Sequence, residues 1–112
     1  MKKKKRGKEY YELHANTCKI LANAKRLQIL DLLRSGEMSV SNLAEEMGLR
    51  EANVSQHLAL MRQKGILSTR RDGVTVYYCL TNPKVIKAYD IMTEVLCDQL
   101  LANAKLVEGI QT

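Results

Sequence analysis

The hydrophobic pattern of this chain changes period twice, and that order constrains the fold more than any other feature. Up to Gly65 the apolar residues recur at helical spacing. Over residues 66–80 they form two β-rich runs, and beyond Pro83 the helical period returns. The first helix is expected over residues 10–21, where Tyr11, His14, Ala15, Cys18, Leu21 and the following Ala22 share one face. Asn23 stands where a second helix needs its N-cap, with Leu27, Leu30 and Leu33, or Ile29 and Leu33, as the stripe and Gly36 as the stop. Ser39 caps a short helix carrying Val40, Leu43, Ala44 and Met47, which ends at Gly48. A fourth helix follows Leu49, turns Val54, Leu58 and Met61 inward and stops at Gly65. It has Arg50 where a capping Ser or Asp belongs. Asp72-Gly73 joins the runs 66–71 and 74–80, a strong hairpin signal. Asn82-Pro83 opens a last helix, expected to about residue 107, with Val85, Ile86, Tyr89, Met92, Leu96 and Leu100 along one face.

A chain of 112 residues is one domain's worth. Its hydrophobic share of 46% supports a core, and the absence of Phe and Trp makes that core aliphatic. No apolar run approaches the roughly 18 residues of a membrane span. The basic start, Met1 to Arg6, is not followed by an apolar signal region, so a cytoplasmic protein without a membrane partner is expected. The net charge of +6 is unevenly placed. Lys2, Lys3, Lys4, Lys5, Arg6 and Lys8 are matched by no acid, whereas cations and acids balance from Glu9 onward. Residues 1–8 therefore read as a disordered basic tail, and residues 9–112 as the folded domain. Within that domain Arg50, Arg62, Lys64, Arg70 and Arg71 lie between Gly48 and Gly73 against only Glu51 and Asp72. Such a segment is either an ordinary solvated surface or a face for a polyanion, and its position decides between them.

The order short helix, Gly turn, second helix, hairpin is that of a winged helix-turn-helix, in a mostly α fold of about five helices with a small β-hairpin wing. A helix enters the major groove when a preceding helix braces it. With Val54 inward, Ala52, Ser55, Gln56, Ala59 and Gln63 face outward or to the flank, and Asn53 and His57 lie at the margin. Gln56 can pair bidentately with an adenine edge, and the alanines allow close approach. Arg62 extends the cationic surface toward the end of this helix, and Arg70 and Arg71 at the hairpin tip are placed to meet phosphates or the minor groove.

These residues resemble the ArsR/SmtB family of winged-helix repressors. The resemblance is carried by Leu21-Ala22-Asn23-Ala24-Lys25-Arg26-Leu27-Gln28-Ile29-Leu30, Leu43-Ala44-Glu45-Glu46-Met47-Gly48-Leu49, Asn53-Val54-Ser55-Gln56-His57-Leu58, Lys64-Gly65-Ile66-Leu67 and Val76-Tyr77-Tyr78-Cys79-Leu80. It implies a homodimer joined through the first and last helices, bound to double-stranded operator DNA until an inducer releases it. It also implies base-reading positions at Asn53, Ser55, Gln56 and His57 and wing contacts at Arg70 and Arg71. The family's metal sites fit poorly. Around Glu37-Met38-Ser39-Val40-Ser41 a thiolate site would need cysteines, and Met and Ser stand there. On the last helix, Asn82, Lys84 and Val95 occupy ligand places of a zinc site, leaving only Asp98. No metal ligand is assigned by these motifs and no cofactor is required. His57 reads as a packed residue with a phosphate hydrogen bond rather than a ligand, and Met38, Met47, Met61 and Met92 as core filler.

Cys18, Cys79 and Cys97 remain as inducer or redox candidates. Their odd number argues against a structural disulfide framework. Three readings stand for Cys18 and Cys97: small buried apolar residues, a thiol switch, or capture of arsenite or another soft ion with Cys79 as third ligand. Two other function classes fit less well. A winged-helix module that binds proteins would expose larger apolar groups than Ser55 and Gln56. An enzyme is not expected, because no nucleophile–base motif or phosphate-binding Gly loop is present.

Overall fold

The computed structural model describes residues 5–111. The elements run α1 (Lys8–Leu21), α2 (Ala24–Leu32), β1 (Met38–Ser39), α3 (Val40–Met47), α4 (Glu51–Gln63), β2 (Leu67–Asp72), β3 (Thr75–Leu80) and α5 (Lys84–Gln111), with one 3-10 turn at Leu33–Ser35. The chain divides into two units, one up to Asn82 and the other from Pro83. The first is a winged helix-turn-helix built on a three-stranded antiparallel sheet of order β1-β3-β2. The second is the helix α5.

Helix boundaries follow their capping chemistry. The Asn23 side chain accepts from the backbone N–H groups of Lys25 and Arg26 at 3.0 and 3.2 Å, and the Ser39 hydroxyl accepts from Asn42 N–H at 3.2 Å. At the end of α3, Gly48 takes φ +64 while Leu49 N–H returns to the Ala44 carbonyl at 3.0 Å. That closing bond needs a left-handed residue, which is why glycine stands there. The core of the first unit is aliphatic: Ile29, Leu30, Leu43, Val54, Leu58 and Met61 are all 0% exposed, joined by Leu33, Ala44, Leu67 and Ile20.

Several boundaries depart from the sequence expectations. Lys8, assigned to the basic tail, is the first residue of α1 and lies 3.8 Å from Glu12 one turn on. The rest of the tail divides: Lys5 to Gly7 precede the helix, and residues 1–4 lie outside the described residues. On α1, Tyr11, His14, Ala15 and Cys18 are exposed within the protomer, and Ile20 is the residue that enters the core. The helix meets α2 near its C-terminal end, so the face marked by periodicity is left uncovered by its own unit. The hairpin pairs Asp72 with Thr75, which makes Gly73-Val74 the two central turn residues, one position beyond the expected Asp72-Gly73. Gly73 has φ +62 and Val74 does not share the positive φ, the pattern of a type II′ turn. β1 adds a strand that sequence alone did not reveal. α5 extends to Gln111, past the expected end near 107.

Candidate nucleic-acid interface

α4 is held from behind by Val54, Leu58 and Met61, spaced i, i+4, i+7 and fully buried. The opposite pole then carries Ala52, Gln56, Ala59 and Gln63, all exposed. Asn53 is exposed beside this stripe, Ser55 is half-buried, and Arg62 is exposed in the last turn. Short and amide side chains thus make the outward surface, the residue types that read base edges at close range. No side chain caps the start of α4 at Arg50, as expected, but the Glu51 carboxylate accepts from the Ser41 hydroxyl and ties the first turns of α3 and α4 together. Wing residues Val74 and Val76 face Ser39, Ser41 and Glu51 across a groove of about 270 Å³. The wing tip therefore lies beside the start of the exposed helix, and the two form one face.

His57 is half-buried on the flank of α4. Its Nδ1 accepts from Arg26 Nε at 3.2 Å, and the same guanidinium donates through a terminal nitrogen to the Ile20 carbonyl at 3.0 Å. Burial first, then the positive charges of Arg26 and Lys25, hold this imidazole below its ordinary pKa of 6.5.

The two wing arginines are not equivalent. Side chains alternate along a strand, so Arg70 shares a face with its cross-strand partner Tyr77, and Arg71 lies on the other. Arg70 reaches across β3, its guanidinium 5.0 Å above the Tyr77 ring, and donates to both carboxylate oxygens of Glu37, from Nε at 3.0 Å. The hydrogen bond from Arg70, with its positive charge adding to it against desolvation, holds Glu37 below the usual carboxylate range, and Glu37 raises Arg70 in turn. Arg71 is exposed and makes no ion pair among the described residues.

The cysteines separate as well. Cys18 and Cys97 are exposed, and Cys79 is half-buried with its sulfur 3.2 Å from the hydroxyl of Ser68, its cross-strand partner. Burial within the protomer is thus corrected for Cys18 and Cys97. Among the described residues no three His, Cys, Asp or Glu side chains gather into a set able to hold a metal ion. No helix of the described residues is long and apolar enough to cross a membrane.

Sequence reasoning assigned no role to Arg26, Glu37 and Tyr77. Arg26 stood only in a family motif, and the Glu37 contact depends on β1, which at two residues is too short to leave a periodic signal.

Comparison with known proteins agrees with this geometry. The family model for bacterial regulatory proteins of the arsR family matches residues 23–69, from the cap of α2 into the wing. The nodulation protein NolR of Rhizobium meliloti is 39% identical over 87 residues, 78% of this chain and 71% of its own. The crystal structure of Rv0081 from Mycobacterium tuberculosis superposes with a TM-score of 0.80 at 31% identity, over 88% of this chain and 99% of that one. The solution structure of the homodimeric winged helix-turn-helix DNA-binding domain of Mb0332 from Mycobacterium bovis gives a TM-score of 0.75 at 31% identity, over 88% and 91%. The chain belongs to the ArsR family of bacterial transcriptional regulators.

Proposed function

We propose that the protein is a dimeric, sequence-specific repressor that binds operator DNA through α4 and the wing and leaves it when an inducer acts. The observation that carries this reading is α4 itself: a helix locked by three fully buried residues that turns Ala52, Gln56, Ala59 and Gln63 outward beside a basic wing. Asn53, Ser55 and Gln56 are assigned to the DNA groove, and His57, Arg62 and Arg71 to phosphates. The dimer reading is supported by exposed apolar side chains: Tyr11 and Leu13 on α1, and Ile91, Met92, Leu96 and Leu100 on α5. Mb0332, a similar domain, is homodimeric. The protein acts in the cytoplasm as a binding protein, not an enzyme.

The inducer reading rests on the two exposed thiols. A peroxide would oxidise two thiols to a disulfide, taking their two protons and two electrons and leaving two waters. A persulfide donor or arsenite would act on the same sulfur atoms. The test is binding to the protein's own promoter across a salt series, with sedimentation to read the dimer. Affinity falls steeply with salt and exceeds that for unrelated DNA; a flat salt response or equal affinity for both overturns the DNA reading. Repeating the binding with peroxide, persulfide donor and arsenite on wild type, C18S and C97S identifies the sensing thiol. Superimposed curves would leave the cysteines without a sensory role.

A further inference from the structure

The Arg26–His57 contact is a side-chain hydrogen bond that ties α2 to the exposed helix, and its geometry has a chemical consequence. An Nδ1 that accepts from a guanidinium carries no proton, so the neutral ring holds its proton on Nε2. Among the described residues nothing in the protein accepts from that Nε2–H. Among the described residues no fully buried side-chain nitrogen or oxygen lacks a partner, so this group is not sealed from solvent. The ring sits one turn from Asn53 on the same flank of α4, next to the surface assigned to DNA. Arg26 is itself fixed at both ends, because its guanidinium also donates to the Ile20 carbonyl where α1 closes. The charged groups set against the ring, Arg26 and Lys25, both come from α2 and both disfavour a second proton.

We propose that Arg26 is a positioning residue for operator recognition: it holds His57 neutral, with Nε2–H turned outward as a hydrogen-bond donor to a DNA phosphate oxygen. Without Arg26 the ring is free to exchange tautomers, and the form protonated on Nδ1 presents a bare acceptor that a phosphate repels. The donor is thus selected by a residue that never touches DNA. This assignment rests on the operator-binding reading above, but its primary test does not need DNA.

Imidazole nitrogen NMR on the full-length, DNA-free protein reads the tautomer directly. Wild type shows the proton on Nε2 and a titration midpoint below 6.5. In R26Q the nitrogen shifts move toward a tautomer mixture and the midpoint rises, because a cation has left. Promoter affinity falls roughly 2- to 10-fold per protomer, the worth of one hydrogen bond. R26K keeps the charge but not the planar fork, so it holds the midpoint low without restoring the tautomer. A wild-type ring protonated on Nδ1 overturns the proposal, even where R26Q does not fold. So does a folded R26Q with wild-type nitrogen shifts. If wild type shows the Nε2–H form but no preference for its promoter, the operator reading fails instead.

Discussion

Replacing Glu37 by Gln separates the roles of the two wing arginines. In the wild-type wing Glu37 occupies the guanidinium fork of Arg70, whose plane is also stacked over Tyr77. The charge of Arg70 is therefore already paired with an anion before DNA arrives. Glutamine removes the negative charge and one of the two acceptor oxygens that match the fork. Each Arg70 released in this way neutralises one further phosphate, which steepens the fall of log affinity with log salt by about 0.9. A dimer carries two wings, so the slope steepens by about 1.8, and a doubling of salt costs E37Q about 3.5-fold more affinity than wild type. At low salt the variant binds more tightly, because an anion beside the DNA backbone has also gone. Fluorescence anisotropy of a labelled promoter fragment across a salt series measures both effects. Two controls fix the interpretation: R71Q flattens the line by about 1.8 per dimer, and R70Q leaves it unchanged. An E37Q line parallel to wild type refutes the reasoning. A flattened R70Q line refutes it too, since Arg70 would then already reach DNA despite its partner.

Three further outcomes test other parts of the structure. L58A removes a side chain with 0% exposure from the base of α4 and lowers unfolding free energy by about 2–5 kcal/mol in urea titration. A loss below about 1 kcal/mol would mean that α4 is not anchored there. Because the folded-state pKa of His57 lies below its unfolded value of 6.5, its stability contribution is complete above 6.5 and is lost as pH falls through the folded value. The urea midpoint of wild type should therefore drop below pH 6.5, while H57Q, which keeps an acceptor but does not titrate, should show a flatter profile. Deleting residues 2–6, which keeps Gly7 at the N-cap of α1, lowers promoter affinity and salt slope while preserving preference for the operator; lost preference would place the basic arm in a groove.

What was legible in the sequence was local. Asn23, Ser39 and Gly48 act where their side-chain and backbone chemistry placed them, and Val54, Leu58 and Met61 turn inward as their spacing requires. The orientation of α4, and with it the outward placement of Ala52, Gln56, Ala59 and Gln63, followed from that spacing alone. Contacts between distant segments were not legible. The bond from Arg26 to His57 joins residues 31 apart, and that from Arg70 to Glu37 joins residues 33 apart. Neither leaves a periodic trace. The turn moved by one position because strand pairing brought Asp72 opposite Thr75, a choice made by the register of the whole hairpin rather than by the Asp-Gly pair. Periodicity marked one face of α1, but it reports only that a face is apolar, not which molecule covers it.

The hydrogen bonds around α4 also constrain how an inducer can act. The helix is fixed by its core residues, by Ser41 at its first turn and by Arg26 on its flank, and the Arg26 guanidinium also holds the end of α1. Cys18 lies two residues before Ile20, whose carbonyl Arg26 holds. Chemistry at Cys18 that disturbs the end of α1 has a direct hydrogen-bonded route to His57 through that guanidinium. Losing one such bond in each protomer is worth about 0.5–1.5 kcal/mol, hence about 1–3 kcal/mol for a dimer. That is the size of coupling that changes operator affinity roughly 5- to 150-fold. If this route carries the signal, R26Q loses most of the response to a Cys18-directed reagent while retaining its weakened binding to the promoter. An R26Q protein that responds as fully as wild type would route the signal elsewhere, through α5 and Cys97.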